Sequence, residues 1–162
     1  MRRLLLLAGI LGHPVLASAQ NPPPAKVSAS LGRVFGRNLT VDSVRIDSVT
    51  VFRVGRADSL LGFARVRNVK GKDQPITFLV AIDPQARLRD VDVLVYREPY
   101  GGEVAYESWR RQFRGKGAAD PLAVGRDIRG ISGATISVNS VTDGVRRSVA
   151  EFSRWLEQGL LR

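Results

Sequence analysis

From Ala25 to Phe35 the apolar residues Val27, Leu31, Val34 and Phe35 recur at helical spacing and Gly36 follows, which predicts a short amphipathic helix. Beyond it the period shortens to two. Val49, Val51 and Arg53 oppose Thr50, Phe52 and Val54, and Leu61 to Val69 forms a second such run. Ile76, Phe78, Val80 and Ile82 share one face of a third run, and Val91, Val93 and Val95 oppose Asp90, Asp92, Leu94 and Tyr96 in a fourth. This alternation is that of half-buried strands. The breaks at Gly55-Arg56-Ala57-Asp58, Lys70-Gly71-Lys72-Asp73 and Asp83-Pro84-Gln85-Ala86 carry turn residues. Connections this short join antiparallel neighbours, so a twisted antiparallel meander is the expected sheet.

The helical period then returns. Glu103 to Phe113, with Val104, Trp109 and Phe113, predicts a helix stopped by Gly115-Lys116-Gly117. Val141, Val145, Val149, Phe152, Leu156 and Leu160 predict one apolar stripe along a helix of about five turns, with Arg146, Arg147, Glu151, Arg154 and Glu157 largely outside it. Trp109 and Trp155 read as core residues, given the area that indole rings bury. The expected class is α+β: a twisted antiparallel sheet packed with a long C-terminal helix and one or two shorter ones.

The first residues belong to a different pattern. Arg2 and Arg3 precede an apolar stretch from Leu4 to Leu16, and Ala17-Ser18-Ala19 supplies small residues for cleavage. Residues 1–19 are expected to be a signal peptide. The apolar stretch is too short for roughly 30 Å of hydrocarbon. Residues 20–25, with Pro22-Pro23-Pro24, read as a stiff linker, since proline fixes φ and lacks a donor. Residues 26–162 then form a single domain, long enough for one core. The expected location is the periplasm or the exterior, as a soluble chain.

Composition narrows the chemistry. The chain has no cysteine, one histidine (His13) and one methionine (Met1), and the last two lie in the expected signal. Haem, iron–sulfur and copper ligation in their usual forms, and Ser-His-Asp or Cys-His relays, are thereby excluded. No carboxylate cluster has EF-hand spacing, so no metal site is expected. The formal charge is +10, and +8 once Arg2 and Arg3 are removed. The arginines are dispersed and no nucleic-acid motif accompanies them, so nucleic acid is not the expected partner.

Ser132-Gly133-Ala134-Thr135 stands just before the last helix, followed by Ser137, Asn139, Ser140 and Thr142. These side-chain oxygens are expected to cap the helix. Gly130 and Gly133 let the backbone turn there. A helix N-terminus with free N–H groups suits an anion such as phosphate, with Arg126, Arg129, Arg146 and Arg147 as candidate counter-charges.

With its core Ile131-Ser132-Gly133-Ala134-Thr135-Ile136-Ser137, the stretch from Arg126 to Arg147 resembles the flavinylation motif of the FMN-binding domain family. That family includes the C subunit of the sodium-translocating NADH:quinone oxidoreductase and the G subunit of the Rnf complex. Leu61-Gly62-Phe63-Ala64 and Val69 to Ile76 are similar to its opening hairpin, and Val93 to Glu98 to the strand that follows. Glu98-Pro99-Tyr100-Gly101-Gly102-Glu103 is similar to its glutamate-and-glycine turn beside the isoalloxazine ring. Trp109 to Lys116 resembles the helix before the motif. The resemblance spans about residues 60–149; one departure is Arg129, where members often carry aspartate.

The resemblance implies FMN as cofactor, joined by a phosphoester to the Thr135 hydroxyl by a separate, magnesium-dependent flavin transferase acting after export. Ser132, Gly133, Ala134 and Ser137 are expected around the phosphate, with backbone amides from Ser137 to Ser140. Glu98, Tyr100, Gly101 and Gly102, together with Tyr96, are expected near the ring or ribityl chain, and Arg129 and Lys116 near the phosphate charge. No catalytic residue is assigned. The implied function is electron carriage between membrane or exported redox partners. An exported binding module that keeps the fold without flavin is the alternative, and a reductase with its own small substrate a third reading.

Overall fold

A computed structural model describes residues 25–162. The expected signal peptide and all but the last residue of the linker lie outside the described residues; Ala25, assigned to the linker, opens the first helix. In chain order the elements are α1 (Ala25–Phe35), β1 (Thr40–Ile46), β2 (Val49–Arg56), β3 (Ser59–Lys70), β4 (Pro75–Ile82) and β5 (Leu88–Val95). A 3₁₀ turn (Gly102–Ala105), α2 (Glu107–Arg110), a second 3₁₀ turn (Arg111–Phe113) and α3 (Thr135–Glu157) follow. Among the described residues no helix is long and apolar enough to cross a membrane.

The five strands form one antiparallel sheet in the order β1-β2-β3-β4-β5, so the meander expected from the short turns is present. Both faces are covered. On one, Phe63, Ile76, Phe78, Val80, Ile82 and Val91 join Val138, Val141, Val145, Val149 and Phe152 of α3 in the larger core. On the other, Phe52, Val54, Ala64, Leu79 and Ala81 meet Val27, Leu31 and Phe35 of α1. β4 has to satisfy both layers, which is why Pro75–Ile82 is almost continuously apolar rather than strictly alternating. Phe152 is fully buried; truncating it to alanine would cost about 3–5 kcal/mol.

α3 approaches the sheet closely at Gly144. A Cβ there would lie 2.7 Å from Val69 Cγ1 and 2.8 Å from the ring tip of Phe78. Arg65 and Arg67 of β3 both pair with Glu151 on the helix, and Arg65 stacks over Trp155, its guanidinium carbon 5.6 Å from the ring centroid. α1 is fixed by the Ser30 hydroxyl, which donates to Asp92 at 2.6 Å, and by the Arg33–Asp92 ion pair.

One strand was not foreseen, and two expectations need correction. β1 lacked a clean pattern in the sequence because it is an edge strand with only Ile46 buried, so its polar positions carry no period. The helix expected over Glu103 to Phe113 is interrupted: Tyr106 is extended, with φ −72° and ψ 136°. Val104 and Trp109 are five residues apart, about 140° round a regular helix, and the extended residue lets both enter the core. Leu160 is not on α3. The helix ends at Glu157, Leu160 is 48% exposed, and Leu161 is the buried residue there.

Candidate functional site

In an antiparallel meander the ends of β3 and β5 point the same way, so the β3–β4 turn and the loop after β5 share one end of the sheet. The N-terminus of α3 arrives at that end. These three segments enclose a cleft of about 330 Å³, bordered by Lys72 and Asp73, by Glu98 to Tyr100, and by Gly133 to Ser137. Its size lies within the roughly 300–1,000 Å³ of small-molecule sites. A contiguous hollow of about 270 Å³ lies between Gly101, Gly102 and Tyr106 on one side and Ser132 on the other, with Pro99, Tyr100 and Gly133 common to both.

Hydrogen bonds hold the walls in place. Glu98 Oε1 accepts the backbone N–H groups of Asp73 at 2.8 Å and Gln74 at 3.0 Å, which joins the post-β5 loop to the β3–β4 turn. The Gln74 amide foremost, with those of Asp73 and Lys72 and the Lys72 charge, holds the Glu98 carboxyl below its ordinary range against the opposing effect of burial. On the other side the Tyr96 hydroxyl donates to the Tyr100 carbonyl. Its proton being so used, the Ser137 hydroxyl 2.9 Å away donates to the Tyr96 oxygen. Gly101 sits at φ +85° in the left-handed region. A Cβ on it would lie 2.7 Å from the Tyr96 oxygen and 3.0 Å from Ser137 Oγ, so only glycine lets the loop lie this close to α3.

The start of α3 differs from the expectation of side-chain capping. The residue before its first turn is Ala134, which has no side-chain oxygen, and no side chain among the described residues caps the helix. The Ala134 carbonyl accepts from Val138 N–H at 2.9 Å. The amides of Thr135, Ile136 and Ser137 therefore precede the helical ladder, as the first amides of any helix do. The open donors are these three; of the amides named from the sequence only that of Ser137 is among them, and the ladder begins at Val138. Ser137 is occupied by Tyr96, while the Thr142 hydroxyl is buried without a partner among the described residues. Thr135 is exposed at the first helical position.

Of the residues singled out in the sequence, Glu98, Tyr100, Gly133, Ala134, Thr135 and Ser137 border the cleft, and Ser132, Gly101 and Gly102 the contiguous hollow. Lys116 and Arg129 border neither. Lys116 Nζ pairs with Asp127 at 3.1 Å. The Arg129 backbone is held by Gln112 Oε1 and the Trp109 indole N–H at 2.7 and 2.8 Å, in a separate hollow. Lys72, Asp73 and Ile136 were missed. The parity of the meander was the signal that places Lys72 and Asp73 beside Glu98; no such signal existed for Ile136, 48% exposed on the first turn.

The donor set of the cleft suits FMN. A phosphate matches three open amides at the positive end of a 23-residue helix, with the Lys72 ammonium in the same cleft wall. The flat surface that a ring requires is provided by Tyr100, 80% exposed, and by the glycine backbone at 101–102. The residues present fit the group.

Comparison with known proteins agrees with the geometry. A family model described as the FMN-binding domain matches residues 71–150, which contains every candidate site residue but starts past β3, later than the Leu60 expected. The G subunit of the proton-translocating ferredoxin:NAD(+) oxidoreductase complex of Clostridium ljungdahlii is 33% identical over 92 residues, covering 52% of this chain and 49% of the relative. The chain thus spans about half the length of the curated relative it matches. Residues 71–150 of this chain belong to the FMN-binding domain family, and FMN is the cofactor.

Proposed function

We propose that the protein is an exported flavoprotein that carries FMN covalently on Thr135 and passes electrons between membrane or exported redox partners. The observation that supports this most is the exposed Thr135 at the first position of an uncapped helix, bordering a cleft whose other walls are a glutamate-anchored turn and the loop from Glu98 to Tyr100. The relative that is 33% identical over 92 residues is a subunit of an oxidoreductase complex.

Thr135 Oγ is the nucleophile in attachment. It loses its proton and forms a bond to phosphorus, while a separate flavin transferase supplies the flavin in an activated form whose leaving group departs. The diester product carries one negative charge, which the amides of Thr135 to Ser137 and the helix dipole stabilise. Tyr96 and Ser137 hold the glycine loop against the helix, and Glu98 holds the β3–β4 turn, so the two walls stay at a set separation. Tyr100, at the boundary of cleft and hollow, would hold the ring when FMN is bound. Bound FMN supplies one- and two-electron chemistry that these side chains lack.

The test is co-expression with a flavin transferase and export. The expected product is yellow, remains yellow on denaturation, and has gained the mass of FMN less water. Thr135→Val should fold and lack that gain. An unmodified wild-type chain under the same conditions would refute the covalent attachment.

A further inference from the structure

A second hollow, of about 540 Å³, lies outside the flavin cleft, between Ser108, Trp109, Arg111 and Gln112 on one side and the 127–130 segment on the other. Its two walls are joined by two hydrogen bonds, and a third braces one of the walls. The Trp109 indole N–H donates to the Arg129 carbonyl at 2.8 Å, Arg129 N–H to Gln112 Oε1 at 2.7 Å, and Gln112 Nε2 to the Trp109 carbonyl at 2.9 Å. These polar groups are therefore committed to building the hollow. So is its one carboxylate: Asp127 accepts from the amides of Ala123 and Leu122 at 2.8 and 3.2 Å and pairs with Lys116 at 3.1 Å.

What remains for a ligand is basic. Arg110 and Arg114, either side of Arg111, have the carboxylates of Asp90 and Glu107 as partners. Neither the Arg111 nor the Arg129 guanidinium has a hydrogen bond or ion pair among the described residues, and the Ser108 hydroxyl likewise has none. Two exposed guanidinium forks and a hydroxyl over a rigid floor suit carboxylates, which arginine binds through paired N–H groups. The hollow ends at Gly130, and the flavin side begins at Ser132 and Gly133.

We propose that this hollow is the docking site for carboxylate side chains of an acidic segment on the protein with which the flavin domain exchanges electrons. The reading rests on the electron-transfer function proposed above. The hollow and the flavin side adjoin at residues 130–132, so a protein seated here lies beside the cleft. The hollow itself exposes no aliphatic side chain for insertion into lipid.

The test uses the full chain, a fluorescently labelled glutamate-rich decapeptide, its glutamine counterpart, and anionic phospholipid vesicles. The acidic peptide should bind at low salt and the glutamine peptide should not. Arg111→Gln with Arg129→Gln should weaken binding roughly five- to tenfold, as loss of two exposed charge pairs does. Ser108→Glu, a single change with an independent effect on folding, should weaken it too. Arg146→Gln with Arg147→Gln removes the same charge from α3 and should leave binding within about twofold. The proposal is overturned if the peptide does not bind, if both arginine pairs weaken it equally, or if only vesicles bind in an Arg111- and Arg129-dependent way. The readout does not involve flavin, so a failed docking site and a failed flavin attachment are recorded separately.

Discussion

Replacing Tyr96 with phenylalanine deletes one oxygen and tests how the glycine loop is held to α3. That oxygen receives the Ser137 proton at 2.9 Å and donates to the Tyr100 carbonyl. The two losses are unequal. Ser137 is only 5% exposed, so its hydroxyl is left without a partner away from water, at about 1–3 kcal/mol. Tyr100 is 80% exposed, and water replaces the missing donor at its carbonyl. The expected sum is about 1–3 kcal/mol, which for a domain of this size lowers the melting temperature by about 3–10 °C. Denaturant unfolding followed by the emission of Trp109 and Trp155, both in the core, measures it. Ser137→Ala closes a double-mutant cycle. Once Tyr96 is phenylalanine the hydroxyl of Ser137 has nothing to donate to, so a coupling of at least about 0.5 kcal/mol is expected. Strict additivity, or a Tyr96→Phe variant as stable as wild type, would refute the clamp.

Gly144→Ala should destabilise although it improves helix propensity. The gain is at most about 1 kcal/mol, whereas forcing a methyl into Val69 and Phe78 costs about 1–3 kcal/mol; an unchanged or raised unfolding midpoint would show that the sheet yields. Acid should loosen the β3–β4 turn. Because the Gln74, Asp73 and Lys72 amides hold the Glu98 carboxyl below its ordinary value, its contribution is complete above that value and is lost as pH falls through the lowered one. Hydrogen-exchange protection of the Asp73 and Gln74 amides should be level above about pH 5 and fall below about pH 4, and Glu98→Gln should remove that step. The same protection at both ends of the range would exclude Glu98 as the anchor.

Where a residue's surroundings come from its own strand or helix, the sequence was a good guide. The alternation around Phe78 and Val80 and the four-residue steps from Val141 to Val149 are local periods imposed by one buried face, and they survive in the structure. β1 was hidden because an edge strand with one buried residue imposes no period. The break at Tyr106 was hidden because an extended residue between two short turns leaves the same apolar content as a helix. At the site, Thr135 was singled out through family resemblance, and the structure places it at the first turn of α3. Glu98 was expected on the ring, but Oε1 serves the amides of Asp73 and Gln74, residues 25 and 24 positions away. Such long-range partners have no local signature. Lys116 and Arg129 were drawn to the phosphate by charge and sequence proximity, yet Lys116 is held by Asp127 and Arg129 faces another hollow.

Ala134 illustrates a compromise between stability and use. Serine or aspartate in its place would supply the missing cap and raise the stability of the chain alone by about 0.5–2 kcal/mol. The same oxygen would occupy the amides that a phosphate needs. Among single changes near Thr135, a stabilising one at 134 is therefore the change a thermal screen would select and a flavin-loading screen would reject. The two screens, run on one library, should separate at this position before any other on α3.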